Sequence, residues 1–248
     1  MPGASAVQDR RQRTPREVEL LEHRRPIIVT IDGPAGTGKS TVARMVAKRL
    51  GIDFLDTGAM YRAAAAIVID EGIDAKDVDA LVGMVERADV RFDFGFDPPL
   101  IKAFGEPIDK RIREADVTRI VSPIAGIARL REHFVEKQRE IGRQHPRLVT
   151  EGRDQGSVVF PDAAVKFYLD ASPRVRAERR AAQLRESGQE ADEGRLLAEI
   201  TERDRSDMSR KVGPLMCPAD AVRVDTSGLT LDQVVDELER RTMELAGR

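Results

Sequence analysis

IIVTIDGPAGTGKSTVARMVAKRL, residues 27–50, decides the fold. IIVTID (27–32) is an apolar, β-branched run of the kind that forms a buried strand. TVARMVAKRL (41–50) then carries apolar residues at helical spacing and stops at Gly51, a residue suited to end a helix. Between them, Gly33, Pro34, Ala35, Gly36, Thr37, Gly38, Lys39 and Ser40 satisfy every fixed position of G-x-x-x-x-G-K-[ST]. Glycines in such a loop let successive backbone N–H groups turn inward on phosphate oxygens, and the helix N-terminus adds favourable potential. Lys39 is expected to reach the β- and γ-phosphates, Ser40 to ligate Mg²⁺, and Thr41 to complete the ATP contacts. Nucleoside triphosphate binding follows; the fate of the phosphate does not.

Working outward, IDFLDTG (52–58) predicts a second strand and YRAAAAIVIDEG (61–72) a helix. RLVTEG (147–152), VKFYLDA (165–171) and AVRVDTS (221–227) predict three more strands, separated by helical stretches that include 173–186, 192–209 and 230–246. The fold class expected is α/β: a P-loop kinase core whose five-stranded parallel sheet is covered by helices on both faces. Residues 89–114 alternate apolar with polar and are punctuated by Gly and Pro, which predicts a small antiparallel sheet inserted into the core. A single amphipathic helix over about 115–142 would bring the chain back.

A chain of 248 residues suits one such core with an insertion, or at most two small domains. Its net charge of −2 argues against a general nucleic-acid binder. Of the basic residues 33 are Arg and 8 are Lys, so only arginines inside motifs carry weight as candidate phosphate ligands. Cys217 is alone, which excludes an internal disulfide and a Cys-based metal site. With no long apolar run and no apolar leader, a cytoplasmic monomer that engages no membrane is expected. Residues 1–25 are polar and read as a mobile extension preceding a domain that runs over 26–248. His23, His133 and His145 lie scattered among charged residues, and none is assigned to catalysis. The absence of asparagine argues against a guanine-reading switch, which needs an Asn-Lys-x-Asp element.

A small-molecule kinase needs a second anion site facing the loop. DTGAMYRA (56–63), EGRDQGSVVFPDA (151–163) and TERDRSDMSRKVGPL (201–215) follow in an order that resembles the bacterial-type cytidylate kinase family, nucleoside monophosphate kinases, from about residue 26 onward. The resemblance implies transfer of the γ-phosphoryl group of Mg²⁺-bound ATP to CMP, with dCMP also accepted and UMP used poorly. It implies that Thr57, Tyr61 and Arg62 hold the acceptor phosphate and sugar, and that Arg153 binds phosphate. Asp154 would read the cytosine amine, with Ser122 and Arg131 at the cytosine edge. Arg203, Asp207 and Arg210 would contact sugar and phosphate. Arg176, Arg179 and Arg180 look like lid arginines that approach the donor phosphates. Together with Lys39, Arg153 and Arg210, they make up the expected catalytic set. The acceptor insert would span about 61–134 and the lid about 173–194.

Chemistry agrees with the cytosine assignment: an amine donor beside acceptors calls for a carboxylate and a guanidinium. Read by spacing alone, Arg203 and Arg210 with Asp204 and Asp207 equally suit a solvated helix face of ordinary ion pairs. Gln155 stands where the family often has an apolar residue, Ser157 where it often has Thr, and Ala128 where it commonly has Pro. The alternatives are another monophosphate or small-metabolite kinase and, from a different class, an ATP-driven binding or switch module.

Overall fold

The computed structural model describes residues 25–186 and 188–246; the extension expected over 1–25 lies outside the described residues except for Arg25. The main sheet is built from β1 (Ile27–Asp32), β2 (Asp53–Asp56), β6 (Arg147–Gly152), β7 (Val165–Asp170) and β8 (Val222–Asp225). Its order is β2-β6-β1-β7-β8, and every neighbouring pair is parallel. β1 is therefore central, and the loop that leaves its C-terminal end emerges between the ends of β6 and β7, where open α/β sheets bind ligands.

Helix α1 (Lys39–Leu50) buries Val42, Ala43, Val46, Ala47 and Leu50, a stripe at helical spacing. That stripe shares one core with Val29, Ile31, Phe167 and Leu169 of the sheet and with Val234, Val235, Leu238 and Met243 of the last helix, α8 (Leu231–Ala246). Gly51 closes α1 at a φ of 64°, a left-handed conformation that costs a residue without Cβ little.

The insert begins with α2 (Thr57–Asp70), whose N-terminus is capped by Asp56 accepting from Ala59 N at 3.0 Å. It continues through α3 (Val78–Arg87) and an antiparallel sheet of β3 (Arg91–Asp93), β4 (Leu100–Ala103) and β5 (Glu106–Pro107). Helices α4 (Ala115–Ile124) and α5 (Ala128–Gln144) complete it, and its residues form a second buried cluster running from Ala59 to Phe134. One expectation needs correction here: the single helix over about 115–142 is two helices. Pro123 offers no N–H and Gly126 favours helix poorly, and the chain turns there, with Gly126 N donating to Pro123 O at 3.0 Å.

On the other side of the sheet's ligand edge, α6 (Pro173–Glu186) and α7 (Glu193–Met208) pack together. No helix among the described residues is long and apolar enough to cross a membrane.

Candidate active site

At the end of β1 the chain passes so close to β7 that a Cβ on Gly33 would lie 2.0 Å from the Leu169 carbonyl oxygen. Only glycine fits there. Lys39, buried, folds over the loop and donates to Pro34 O at 2.7 Å. Burial, followed by the charge of Arg153, pushes its ammonium down to about 7. Ser40 Oγ donates to Glu151 Oε1 at 2.6 Å, and Thr57 Oγ1 donates to Glu151 O at 2.8 Å. Asp56 is raised to about 7 by burial and then by the neighbouring Glu151 carboxylate. Ser40, Glu151 and Asp56 thus gather hydroxyl and carboxylate oxygens beside the loop, a donor set that suits a hard divalent cation such as Mg²⁺.

Beside this lies a cluster of guanidinium groups organised by one carboxylate. Arg153 Nε donates to Asp207 Oδ2 at 2.8 Å, and Arg210 Nη2 donates to Asp207 Oδ1 at 2.5 Å. Burial works to raise the Asp207 pKa, but Arg153 and Arg210 outweigh it and hold the carboxyl below its ordinary range. The Nε atoms of Arg203 and Arg210 are buried without a partner. Arg203 is pushed down to about 10 by burial and then by Arg153, and Arg62 is lowered by burial and the charges of Arg113, Arg180 and Arg153. Cations packed until their charged forms are disfavoured make a seat for an anion.

A buried ion pair adjoins that seat. Arg131 Nη2 donates to Asp154 Oδ2, and Arg131 Nη1 donates to Ala125 O, at the break between α4 and α5, at 3.0 Å. The Arg131 guanidinium lies 5.2 Å from the centre of the Tyr61 ring, which meets Phe134 edge-on at 5.2 Å. Gly213 closes the back of the pair so tightly that a Cβ there would lie 2.3 Å from Asp154 Oδ2.

All these groups face one cleft of about 2910 Å³, several times the volume a single small ligand needs. Thr57, Tyr61, Arg62, Ser122, Arg131, Arg153, Asp154, Arg203, Asp207 and Arg210 all line it, together with the phosphate loop from Ala35 to Thr41. Gly33 and Pro34 form the floor beneath that loop rather than the lining. Arg179 and Arg180 also line the cleft; Arg179 is tied to Thr226 through Oγ1 at 3.1 Å, while Arg180 is exposed.

Arg176 is the exception among the expected site residues. It is 2 % exposed, and its three nitrogens reach Ala171 O, Ala35 O and Asp204 Oδ2 at 2.9, 3.0 and 2.6 Å. Where the sequence led to the expectation of a lid arginine approaching the donor phosphates, the structure shows every nitrogen of Arg176 engaged within the protein, as a strut beneath the phosphate loop. It lies in the first turn of α6 among that helix's buried residues, between the phosphate loop and α7.

Sequence reasoning left other residues of the cleft out of the site. Glu151 carries no spacing signal that would pair it with Ser40, 111 residues away in sequence. Thr226 and Leu229, in the loop before α8, and Leu231, the first residue of α8, line the cleft, and nothing in their sequence marks them as site residues. Arg113 also lines it, and in a chain so rich in arginine nothing marks it out.

Comparison with known proteins agrees with this geometry. The family described as "Cytidylate kinase" matches residues 29–244. A cytidylate kinase of Nocardia farcinica is 44% identical over 217 residues, covering 87% of this chain and 93% of that protein. One from Azotobacter vinelandii is 42% identical over 226 residues, covering 90% and 97%. A solved gluconokinase from Sinorhizobium meliloti 1021 aligns over 91% of this chain and 93% of its own, at 18% identity and a TM-score of 0.41, too distant to bear on function. With a family match over most of its length and relatives this similar, the chain belongs to the cytidylate kinase family.

Proposed function

We propose that this protein transfers the γ-phosphoryl group of ATP to CMP, giving CDP and ADP, and that it accepts dCMP well and UMP poorly. The observation that carries the proposal is the convergence in one cleft of three parts: the phosphate loop with Lys39, the Arg153–Asp207–Arg210 cluster, and the buried Arg131–Asp154 pair. The first suits a triphosphate, the second a monophosphate, and the third a base with an amine to donate.

In this mechanism the acceptor phosphate is its own nucleophile. A phosphate monoester has a second pKa of about 6 and is largely dianionic at neutral pH, so no general base is needed. Lys39 and the loop N–H groups hold the donor phosphates, and Arg153, Arg203 and Arg210 orient the acceptor for in-line attack. Ser40, with Glu151 and Asp56 behind it, would hold Mg²⁺, which would supply neutralisation of phosphate charge. Arg179 and Arg180 are the lid arginines available to charge that develops in transfer. Residues 61–134 and 173–194 are the segments proposed to close over the substrates and exclude water. The separate hydrophobic cluster of the insert supports such movement. Since a single chain supplies every part of the cleft, a monomer acting in the cytoplasm is included in the proposal.

The test is a coupled assay of ADP release with ATP, Mg²⁺ and a panel of nucleoside monophosphates. Release that depends on CMP, with dCMP close behind and UMP far below, is expected. Release that is indifferent to the acceptor would place the protein among ATP-driven switches instead.

A further inference from the structure

Asp32, the last residue of β1, is 1 % exposed and does not line the cleft. A carboxylate buried that deeply is unfavourable unless its oxygens find donors, and both do. Oδ1 accepts from Gln155 N at 2.9 Å, and Oδ2 accepts from Gly156 N at 2.8 Å. Burial pushes the carboxyl up to about 7, against the pull of those N–H groups and of Lys39, while Asp154 adds to the rise. The parallel register explains the reach. Asp32 stands opposite Gly152 at the end of β6, and the turn that leaves β6 carries Arg153 and Asp154. In the other direction Asp32 is followed directly by Gly33, where the phosphate loop starts. One side chain therefore ties the root of the donor loop to the turn that bears the acceptor-site residues.

These bonds act on Asp154 through the backbone. Gln155 N belongs to the same planar peptide as the Asp154 carbonyl, so fixing it fixes the Asp154 ψ, which is 22°. The carbonyl end of that peptide is held as well, accepting from Val158 N at 2.9 Å and from Val159 N at 3.2 Å. Gly156 N anchors the next peptide plane. The carboxylate at the end of the Asp154 side chain has little room to compensate for a shift of this turn. Its Oδ2 accepts from Arg131, and a Cβ on Gly213 would lie 2.3 Å from that oxygen. Asp154 itself lines the cleft. Without the Asp32 bonds the turn is free to relax, and a drift of about 1 Å is costly for a group that must meet a ligand at hydrogen-bond distance.

From these contacts we infer that Asp32 is a positioning residue for acceptor specificity: by gripping the two peptide N–H groups that follow Asp154, it holds the Asp154 carboxylate in register with the phosphate loop for reading the base. This rests on the proposed use of CMP as acceptor and on Asp154 as the residue that meets its amine. Asp32→Asn keeps the shape but turns one acceptor into a donor, which leaves one of the two N–H groups without a partner. Calorimetry is expected to show CMP binding weakened about five- to tenfold, the range for a buried donor left unpaired. UMP, which has no amine for Asp154 to accept, should lose much less, so the ratio of the two dissociation constants falls. A non-hydrolysable ATP analogue should bind nearly as before. In an Asp154→Asn background the same Asp32→Asn change should leave the CMP-to-UMP ratio where Asp154→Asn alone put it. Asp32→Ser, a smaller side chain with one accepting oxygen, should repeat the pattern, so a folding defect in one variant leaves the other to decide. A wild-type ratio retained in these variants, or a further fall in the Asp154→Asn background, reduces Asp32 to a structural residue and overturns the inference. Loss of the ATP analogue equal to the loss of CMP overturns it too, by assigning Asp32 to the phosphate loop. A wild-type protein that binds CMP no better than UMP overturns the proposed function itself, an outcome read before any variant is made.

Discussion

Arg176 donates from Nη2 to Asp204 Oδ2 at 2.6 Å, and the same guanidinium holds the Ala35 carbonyl of the phosphate loop from Nη1 at 3.0 Å. One side chain thereby joins α6, α7 and the loop that cradles the donor phosphates. Removing it leaves a buried carboxylate without its cation, a change that typically destabilises by about 3–5 kcal/mol. Arg176→Ala is therefore expected to lower the thermal midpoint sharply. Arg179→Ala, at a half-buried residue tied only to Thr226, is expected to lower kcat with a smaller change in stability. Thermal unfolding and saturation kinetics on both variants check this; an Arg176→Ala protein as stable as wild type contradicts the strut assignment.

Specificity is expected to reside in Asp154. Asp154→Asn keeps the side chain's shape but replaces an acceptor proposed to face the base with a donor. Recognition of the cytosine amine should weaken by roughly 1–3 kcal/mol, while the repulsion against uracil's carbonyl disappears. Arg153→Ala, in the phosphate cluster with Asp207, should weaken CMP and UMP alike. The measurement is the ratio of kcat/KM for CMP and UMP in each variant. A ratio preserved by the first change and lost by the second reverses the division of labour within residues 153–154.

Lys39 makes a prediction in pH. Its folded-state pKa of about 7 lies well below the ordinary 10.5. Between those values the unfolded chain binds the proton and the folded chain does not, so this group's contribution to stability rises with pH across that window. Below about pH 7 the penalty for burying the charge is fully present. Lys39→Met removes the titration and, on the proposed mechanism, nearly all phosphoryl transfer. Urea midpoints at pH 6.5 and 9.5 should show wild type gaining on the variant at the higher pH; a constant gap between them refutes the assignment.

Glu151→Gln tests the cation site. The Ser40 hydroxyl keeps a partner, but one carboxylate charge beside it is lost. The concentration of Mg²⁺ needed for half-maximal activity should rise severalfold, with the KM for CMP much less affected. An unchanged Mg²⁺ requirement would remove Glu151 from the site.

The central strands of the main sheet were legible because burial on both faces favours short, mostly apolar runs, as in IIVTID and VKFYLD. Boundaries were harder. DTG read as the end of a strand, yet Thr57 opens α2 because the Asp56 carboxylate caps Ala59 N. Helix α3 was not foreseen: only Leu81, Val82 and Val85 are buried on it, too sparse a stripe to stand out before the alternating stretch that follows. In the candidate site, the phosphate loop, DTG and GRD meet because they sit at the ends of β1, β2 and β6, neighbouring parallel strands, while Arg203 and Asp207 are brought in by α7. Glu151 is a case where spacing was silent: its bond to Ser40 depends on β1 and β6 pairing with Ile31 opposite Glu151. Arg176 and Arg179 share a helix and a residue type, and only the tertiary fold tells a strut from a residue of the cleft wall.

The two larger buried clusters among the described residues, one under the phosphate loop and one from Ala59 to Phe134, are expected to behave as two cooperative units rather than one. Such units open with their own free energies. Amide hydrogens of α2 to α5 should then exchange with solvent through an opening that leaves β1, β6 and β7 protected. A bound monophosphate, bridging Arg62 on the insert and Arg153 at the sheet's edge, would fuse the two, so CMP should slow exchange across the insert while leaving the already slow central strands almost untouched.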